Sequence, residues 1–259
     1  MDGCWSDIIK APNGGRLKKP RKSGITMVID KGLSIAETES LLESSAPYID
    51  FLKLSFGTAA LYDKSTLSNK IKLTKEYEVA VYPGGTFLEI AYWQGKSIEY
   101  FKRLVELGIN WVEISDGTIS ISQLERTRLI MAAAKTGLKI ITEVGKKDLH
   151  NQPSEASLIE TANHDLNLGV EMVIIEARES GKGIGIYDSS GEVNNTKLEA
   201  IKSGLPLEKI IWEAPLKNQQ ATLINSFGPN VNLGNIAPTE TLSLEALRLG
   251  FRSDTWKPN

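Results

Sequence analysis

The chain has 259 residues, of which 41% are hydrophobic and 24% charged, and its formal net charge is -2. This balance is typical of a globular protein without a basic surface for nucleic acid, and no apolar run approaches the roughly 20 residues of a membrane helix. The start lacks the features of a secretory signal, and Cys4 is the single cysteine, so we expect a cytoplasmic protein without an internal disulfide or a cysteine metal cluster.

The first 23 residues are polar and irregular, with a Gly14-Gly15 pair and a basic run over 18–22. We interpret them as an N-terminal arm. A solvated arm is one possibility, and an arm that covers one end of the folded domain is another. The folded domain itself is predicted to span residues 24–259.

From residue 25 onward, short apolar strands alternate with amphipathic helical stretches. The predicted strands are Ile25–Gly32, Phe51–Gly57, Val79–Gly85, Trp111–Gly117, Leu138–Lys146, a sixth beginning at Val173, Ile210–Pro215 and Val231–Asn235. The predicted helices are Ser34–Tyr48, Lys64–Tyr77, Phe87–Leu107 in two pieces broken near Gly95, Ser122–Lys135, Ser154–Leu168, Asn195–Lys202, Asn218–Phe227 and Thr241–Leu249.

Eight strand–helix units in about 230 residues predict an α/β fold, a single-domain (β/α)₈ TIM barrel. An open, doubly wound sheet is the alternative. No Gly-x-Gly-x-x-Gly motif follows the first strand, which speaks against a dinucleotide-binding sheet.

Alternation along the strands separates an apolar face from a face that carries charge. The apolar face includes Met27 and Ile29, and we expect it to contact the helices. The other face carries acids toward the C-terminal strand ends, where barrel enzymes keep their active sites. These acids are Asp30, Glu113, Glu143, Glu176 and Glu213.

Acids that converge on one barrel mouth repel one another unless cations compensate them. Lys53, Lys146 and Arg178 supply part of that charge, and a hard divalent cation would supply the rest. With carboxylate donors and no cysteine, the sequence favours Mg²⁺. Any single one of these acids has an alternative interpretation as a solvated or ion-paired residue.

Two further segments are candidates for anion binding. The glycine-rich Gly181–Gly185 contains Lys182, and such loops let backbone N–H groups approach phosphate, although a flexible βα-loop without a ligand is an equal alternative. Gly234 and Asn235 are placed at the loop after the eighth strand, and the loops after strands seven and eight often hold phosphate in barrels. A lysine near several carboxylates stays charged, so Lys146 is suited to donate a proton rather than to form a Schiff base.

Several motifs then make the sequence similar to the phosphosulfolactate synthase family. They include Thr142–Lys147, Val173–Gly183, Glu213–Pro215, Val231–Ile236 and Arg252–Thr255, with agreement at Ser55–Thr58, Tyr82–Thr86 and Glu113–Gly117. The resemblance covers roughly residues 23 to 257. It implies a TIM barrel, Mg²⁺ dependence, a homo-oligomer, and addition of sulfite to phosphoenolpyruvate to give (2R)-O-phospho-3-sulfolactate, a reaction tied to coenzyme M biosynthesis or to sulfolactate.

The resemblance also implies roles for the residues at the mouth. Lys146 matches the Gly-Lys-Lys motif of the family and becomes the candidate for the acid that protonates C2. Glu113, Glu143 and Glu176 are the candidate metal ligands. Lys53, Arg178 and Lys182 are candidates to bind phosphate or sulfite.

Two other functions stay open on the sequence. The chain could be a Schiff-base barrel lyase that uses Lys146 and needs no metal. It could also be a non-catalytic barrel, like the heat-stress-associated branch of the same family in plants.

Overall fold

The computed structural model describes residues 4–258, so the first three residues of the predicted arm and the last residue of the predicted domain lie outside it. The eight strands are β1 Thr26–Asp30, β2 Phe51–Leu54, β3 Ala80–Pro83, β4 Trp111–Ile114, β5 Lys139–Val144, β6 Met172–Ile175, β7 Ile210–Glu213 and β8 Leu233–Ile236. The α-helices are α1 Ile35–Ser45, α2 Lys64–Glu76, α3 Gly85–Trp93, α4 Ser97–Glu106, α5 Gln123–Lys135, α6 Glu155–Asn167, α7 Asn195–Gly204, α8 Lys217–Phe227 and α9 Thr241–Arg248.

The helix boundaries follow from capping residues in the sequence. Ser34 and Ser122 each form a capping box, because the serine accepts from the N–H three residues later while Glu37 or Glu125 accepts in return. The break between α3 and α4 lies at Gly95, whose φ of 69° is in the left-handed region. These signals are local, which explains why the sequence located the helices within a few residues.

All the strand pairs are parallel, and β1 pairs with both β2 and β8. The order β3-β2-β1-β8-β7-β6-β5-β4 therefore wraps around on itself, with β3 and β4 side by side. Within residues 4–258 no backbone ladder joins these two strands, and we call their junction the seam. The predicted single-domain barrel is confirmed, and the doubly wound alternative is wrong because the first strand pairs with the last.

The ladder registers show which residues face the barrel interior. Ile29, Lys53 and Tyr82 lie side by side across β1, β2 and β3, and the Tyr82 hydroxyl donates to Met27 Sδ at 2.7 Å. The prediction that Met27 and Ile29 face the helices is wrong. β1 is buried on both faces and shows no polar alternation. Its faces were therefore assigned from its charged last residue alone, and that assignment was wrong.

The N-terminal arm contacts the bottom of the barrel, where the strands begin. Arg16 forms an ion pair with Glu245 of α9 at 2.9 Å, and Arg21 with Asp50 at 2.7 Å. The Lys19 ammonium donates to the carbonyls of Ala46, Ile49 and Glu78, which precede β2 and β3. The basic residues of the arm therefore bind carbonyl and carboxylate groups at the face opposite the predicted mouth. None of the helices in residues 4–258 is both long and apolar enough to span a membrane.

Candidate active site

Four glutamates from consecutive strands converge inside the C-terminal end of the barrel. Glu113, Glu143 and Glu213 belong to β4, β5 and β7, and Glu176 follows β6 directly. Each is at most 2% exposed. We call these four residues the glutamate cluster. Their side chains share the inner face because each lies at the same parity in its strand.

Lys53 of β2 reaches into the glutamate cluster from across the barrel. Its Nζ lies 2.9 Å from Glu113 Oε2, 3.2 Å from Glu143 Oε2 and 3.6 Å from Glu213 Oε1. Lys53 is buried, with 7% of the residue exposed, so these ion pairs are little screened by water. Lys53 thus balances charge at the centre of the cluster.

The second cation of the cluster is Lys147. Its Nζ lies 3.5 Å from Glu143 Oε1 and 3.7 Å from Glu176 Oε2, and it donates to Thr86 Oγ1 at 2.8 Å. Its side chain is 28% exposed, in contrast to 9% for the side chain of Lys53. Lys147 therefore connects the buried carboxylates with the mouth.

Lys146, the lysine selected from the sequence, lies elsewhere. Its Nζ donates to the main-chain carbonyl and a carboxylate oxygen of Asp116, at 2.5 Å and 2.6 Å, and to the Ile119 carbonyl at 3.0 Å. These three bonds use all the protons of an ammonium group. The placement of Lys146 among the mouth carboxylates is thus corrected. The alternation that put Glu143 on the inner face puts Lys147, four residues on, on that face only if it continues past Gly145, beyond the end of β5.

Burial and mutual repulsion give the cluster unequal acidities. Burial and the charge of Glu143 raise the pKa of Glu113 to about 7, against the opposing effect of Lys53. Burial, Glu143 and Glu213 hold the pKa of Glu176 well above its usual range, and burial also raises the pKa of Glu213. Burial would raise the pKa of Glu143 as well, but Lys147 and Lys53 outweigh it and lower that pKa. Four carboxyl groups thus face two ammonium groups, and the cluster holds protons or a cation to balance them.

The cluster also contains carboxylate oxygens that lack hydrogen-bond donors. Glu113 Oε2, Glu143 Oε1 and Glu176 Oε2 are buried without such a donor, although Lys53 and Lys147 lie near them as ion-pair partners. Hard, anionic oxygens of this kind are the donors that Mg²⁺ prefers. Within the described residues, however, no three acidic, histidine or cysteine side chains are arranged as a ready metal cage. Because Mg²⁺ keeps several waters or substrate oxygens, two carboxylates suffice, and the donor set fits such an ion.

The mouth carries exposed cations on the loop after β6. The Arg178 N–H donates to Glu176 Oε1 at 2.6 Å, and its guanidinium donates to the Lys147 carbonyl at 3.1 Å. Its φ of 59° is in the left-handed region, which turns the chain away from the strand direction. Lys182 is exposed farther along the same loop, and it makes no ion pair with any residue in 4–258. Both side chains are exposed, so an anion can reach them from solvent.

The remaining sequence-selected residues have other surroundings. Asp30 does not join the glutamate cluster: it faces the helices, is fully buried, and pairs with Lys70 of α2. A Cβ at Gly234 would lie 2.5 Å from Met27 Cε, so this glycine makes room for interior packing. Asn235 is 8% exposed at the end of β8 with a φ of 57°.

Two buried polar residues that order the loops at the mouth, Glu89 and Arg126, were missed. Glu89 of α3 accepts hydrogen bonds from the chain after β4, and Arg126 of α5 donates to Asp165 and to the Glu143 carbonyl. Glu89 stands alone among apolar residues in α3, which is a sequence signal for a buried carboxylate. Arg126 carries no such signal, because charged residues surround it along α5.

Comparisons with known proteins agree with this architecture. The model of the family described as (2R)-phospho-3-sulfolactate synthase (ComA) matches residues 14–254. A phosphosulfolactate synthase of Methanothermobacter thermautotrophicus is 43% identical over 255 residues, which cover 96% of each chain. One of Methanocaldococcus jannaschii is 44% identical over 235 residues, which cover 90% of this chain and 94% of the relative.

Among solved structures, 3-hexulose-6-phosphate synthase from Salmonella typhimurium superimposes with a TM-score of 0.57 at 11% identity, covering 88% of this chain and 100% of the other. This likeness concerns the barrel fold alone. The family match spans nearly all of the chain and includes the whole glutamate cluster. The chain therefore belongs to the (2R)-phospho-3-sulfolactate synthase family of enzymes.

Proposed function

We propose that this protein catalyses the Mg²⁺-dependent addition of sulfite to phosphoenolpyruvate, giving (2R)-O-phospho-3-sulfolactate. The observation that carries the proposal is the glutamate cluster with Lys147 at its edge, in a chain of this family. The reaction needs a proton donor and positive charge beside a carboxylate that gains electrons. The mouth of the barrel offers both.

In the proposed reaction, the sulfur lone pair of sulfite forms a bond to C3 of phosphoenolpyruvate. The π electrons of the C2–C3 bond move toward C2 and the adjacent carboxylate, and a proton then adds to C2. The phosphate ester stays intact. The protein must hold two anions together, stabilise the charge on the carboxylate and deliver one proton to one face of C2.

Lys147 is our proposed proton donor. The charges of Glu143 and Glu176 raise its pKa against the opposing effect of burial, so it enters the reaction protonated. Its partial exposure leaves the ammonium accessible to a substrate, whereas Lys53 is enclosed by carboxylates. Lys53 instead lowers the pKa of the neighbouring carboxyl groups against the effect of burial, and Arg178 and Lys182 approach the phosphate or the sulfite from the rim.

Glu143 and Glu176 would hold the Mg²⁺ ion, each with the oxygen that lacks a hydrogen-bond donor. Glu113 contributes less in this proposal, because its other oxygen accepts from the Gly85 N–H at 2.6 Å and Lys53 lies beside it. A bound Mg²⁺ would supply positive charge to the substrate carboxylate as electrons accumulate there.

A Schiff-base lyase is disfavoured by the same geometry. That chemistry needs a neutral lysine amine. The Lys146 ammonium is bound by three acceptors, and the pKa of Lys147 is raised by Glu143.

The test is one assay. The protein is mixed with phosphoenolpyruvate, sulfite and MgCl₂, and the product is sought by mass spectrometry, with EDTA in a parallel reaction. We expect phosphosulfolactate only with Mg²⁺. Absence of product would favour the non-catalytic alternative, and product at an undiminished rate in EDTA would overturn the metal assignment.

Metal binding can be measured without turnover. We expect MgCl₂ to raise the melting temperature of the wild type, since an ion that binds only the native state stabilises it by mass action. Glu176→Gln should lose most of this shift. Glu160→Gln, on the exposed face of α6, is the matched control and should keep it. An equal shift in both variants would exclude Glu176 as a ligand.

A further inference from the structure

We propose that Gly117 is a positioning residue for Lys147, and that Glu89 and Lys146 hold the loop that carries Gly117. The inference rests on the proposed role of Lys147 as proton donor. The loop consists of residues 115–119 directly after β4, and we call it the cradle loop. It lies between the start of α3 and the lysine pair after β5.

Glu89 of α3 holds the cradle loop from one side. It is 2% exposed, and it accepts from Ser115 Oγ at 2.6 Å. Its other oxygen accepts from the backbone N–H groups of Thr118 and Ile119, at 2.9 Å and 3.0 Å. A buried carboxylate that receives three hydrogen bonds from one loop fixes the conformation of that loop.

Lys146 holds the cradle loop from the other side. Its ammonium binds Asp116 through both the carbonyl and the side chain, and it binds the Ile119 carbonyl. Arg126 donates to the second Asp116 oxygen at 3.1 Å and to Asp165. The loop is thus attached to α3, to α5 and to the end of β5, and Lys146 has a structural partner for each of its protons.

The Lys147 side chain passes directly over Gly117. The Lys147 N–H donates to the Gly117 carbonyl at 3.0 Å, so the backbones of the two residues lie next to each other. A Cβ added at Gly117 would lie 3.1 Å from Lys147 Cε and 3.3 Å from its Cδ and Cγ. Gly117 is not among the residues with positive φ, so the space rather than the backbone requires glycine here.

The path of the Lys147 methylene chain, which we call the stem, determines where its ammonium group lies. Lys147 Nζ is 2.8 Å from Thr86 Oγ1, 3.5 Å from Glu143 and 3.7 Å from Glu176. A methyl group at Gly117 would push the stem away by a few tenths of an ångström or change its rotamer. A displacement of about 1 Å at a reacting group can lower a rate on the order of 100-fold.

The test compares Gly117→Ala with Gly14→Ala, a matched change at a glycine that has nothing within 4 Å of the added carbon. We expect kcat of Gly117→Ala to fall on the order of 10-fold, while KM for phosphoenolpyruvate changes less than about threefold. Gly14→Ala should keep the wild-type values. A wild-type kcat in a folded Gly117→Ala would overturn the proposal.

A second readout does not depend on turnover. Competitive acetylation followed by peptide mass spectrometry reports how accessible each lysine amine is. If the stem moves, the Lys147 ammonium leaves Thr86 and its partly buried position, and its labelling relative to the other lysines should rise severalfold in Gly117→Ala. Unchanged Lys147 labelling would overturn the proposal, as would a uniform rise over all lysines, which indicates general unfolding.

Glu89→Gln provides an independent variant should Gly117→Ala fail to fold. The amide group cannot accept from all three donors, so the cradle loop should loosen and give the same selective loss of kcat and rise in Lys147 labelling. A loss of stability without either effect would overturn the role of the loop. If the wild type forms no phosphosulfolactate, the proposed function fails, whereas the labelling result still decides whether Gly117 positions Lys147.

Discussion

Lys146 and Lys147 are adjacent in the sequence, yet their ammonium groups bind different partners. Arginine can replace a lysine that acts through hydrogen bonds, but it cannot donate a proton at neutral pH. We therefore expect Lys147→Arg to lower kcat by about 10²–10⁴-fold. Lys146→Arg, which keeps donors for Asp116 and the Ile119 carbonyl, should retain at least about a tenth of the activity.

The paired measurement is kcat for both variants under saturating substrates, with circular dichroism to verify folding. Active Lys147→Arg together with inactive Lys146→Arg would restore Lys146 as the acid, the role first inferred from the family motif. The sequence could place a lysine at the end of β5. Choosing between Lys146 and Lys147, however, required the inward–outward alternation of side chains along β5 to be continued past Gly145. There φ is 119°, so continued alternation could not be assumed.

The raised pKa of Glu113 makes stability depend on pH. Burial and Glu143 raise this pKa to about 7, from 4.5. Between these values the folded state binds more protons than the unfolded state, so the contribution of Glu113 to the free energy of unfolding falls as pH rises. Glu143 has a lowered pKa, and its contribution is lost only at lower pH.

We therefore expect Glu113→Gln to gain stability relative to the wild type as the pH rises from 5 to 7. Urea unfolding in EDTA at both pH values measures this difference, and EDTA prevents a metal from replacing the protons. An identical difference at pH 5 and pH 7 would show that Glu113 titrates normally in the folded protein.

At the scale of elements, the pair between Asp30 and Lys70 joins β1 to α2. Both side chains are fully buried, and Asp30 also accepts from the N–H groups of Gly32 and Leu33, each at 2.7 Å. Removing one partner of a buried pair leaves the other charge uncompensated. We expect Lys70→Met to lower the free energy of unfolding by about 3 kcal/mol in urea titrations.

Lys96→Met is the control for this change. Lys96 pairs with Glu99 at 3.0 Å, but the two side chains are 63% and 60% exposed, so the loss should stay below about 1 kcal/mol. Equal losses in the two variants would contradict a buried, stabilising pair at Asp30.

The same pair explains why the inner face of β1 could not be predicted. All five residues of β1 are buried, so polarity does not distinguish the inner face from the outer one. Asp30 looked like a site acid because the lysine that neutralises it is 40 residues away, on a helix. In β4, β5 and β7 a single acid interrupts an apolar strand, and there the inner face was predicted correctly.

At the scale of the whole molecule, the two ends of the barrel have different roles, stability at the bottom and the candidate active site at the mouth. The arm contacts the bottom through Arg16, which pairs with Glu245 and donates to the Gly24 carbonyl at 2.8 Å. The glutamate cluster lies at the opposite end. Arg16→Ala should therefore cost about 2 kcal/mol of stability and leave kcat within about twofold of the wild type.

Thermal or urea unfolding and the sulfite addition assay measure these two quantities. Arg103→Ala, which removes an exposed pair with Glu106, is the control and should change neither by much. A large fall in kcat for Arg16→Ala would mean that the bottom of the barrel influences the mouth. The order of the eight units was predictable because each is encoded locally, whereas the pair that joins Arg16 of the arm to Glu245 connects residues 229 positions apart.

The seam between β3 and β4 gives the barrel a place where neighbouring strands can separate without breaking a ladder. One bond that does cross it runs from the Gly85 N–H, after β3, to the Glu113 carboxylate on β4. An ionised carboxylate accepts a stronger hydrogen bond than a protonated one. We therefore expect the Gly85 amide to exchange its hydrogen faster when Glu113 is protonated, so that opening of the seam depends on the protonation state of the glutamate cluster.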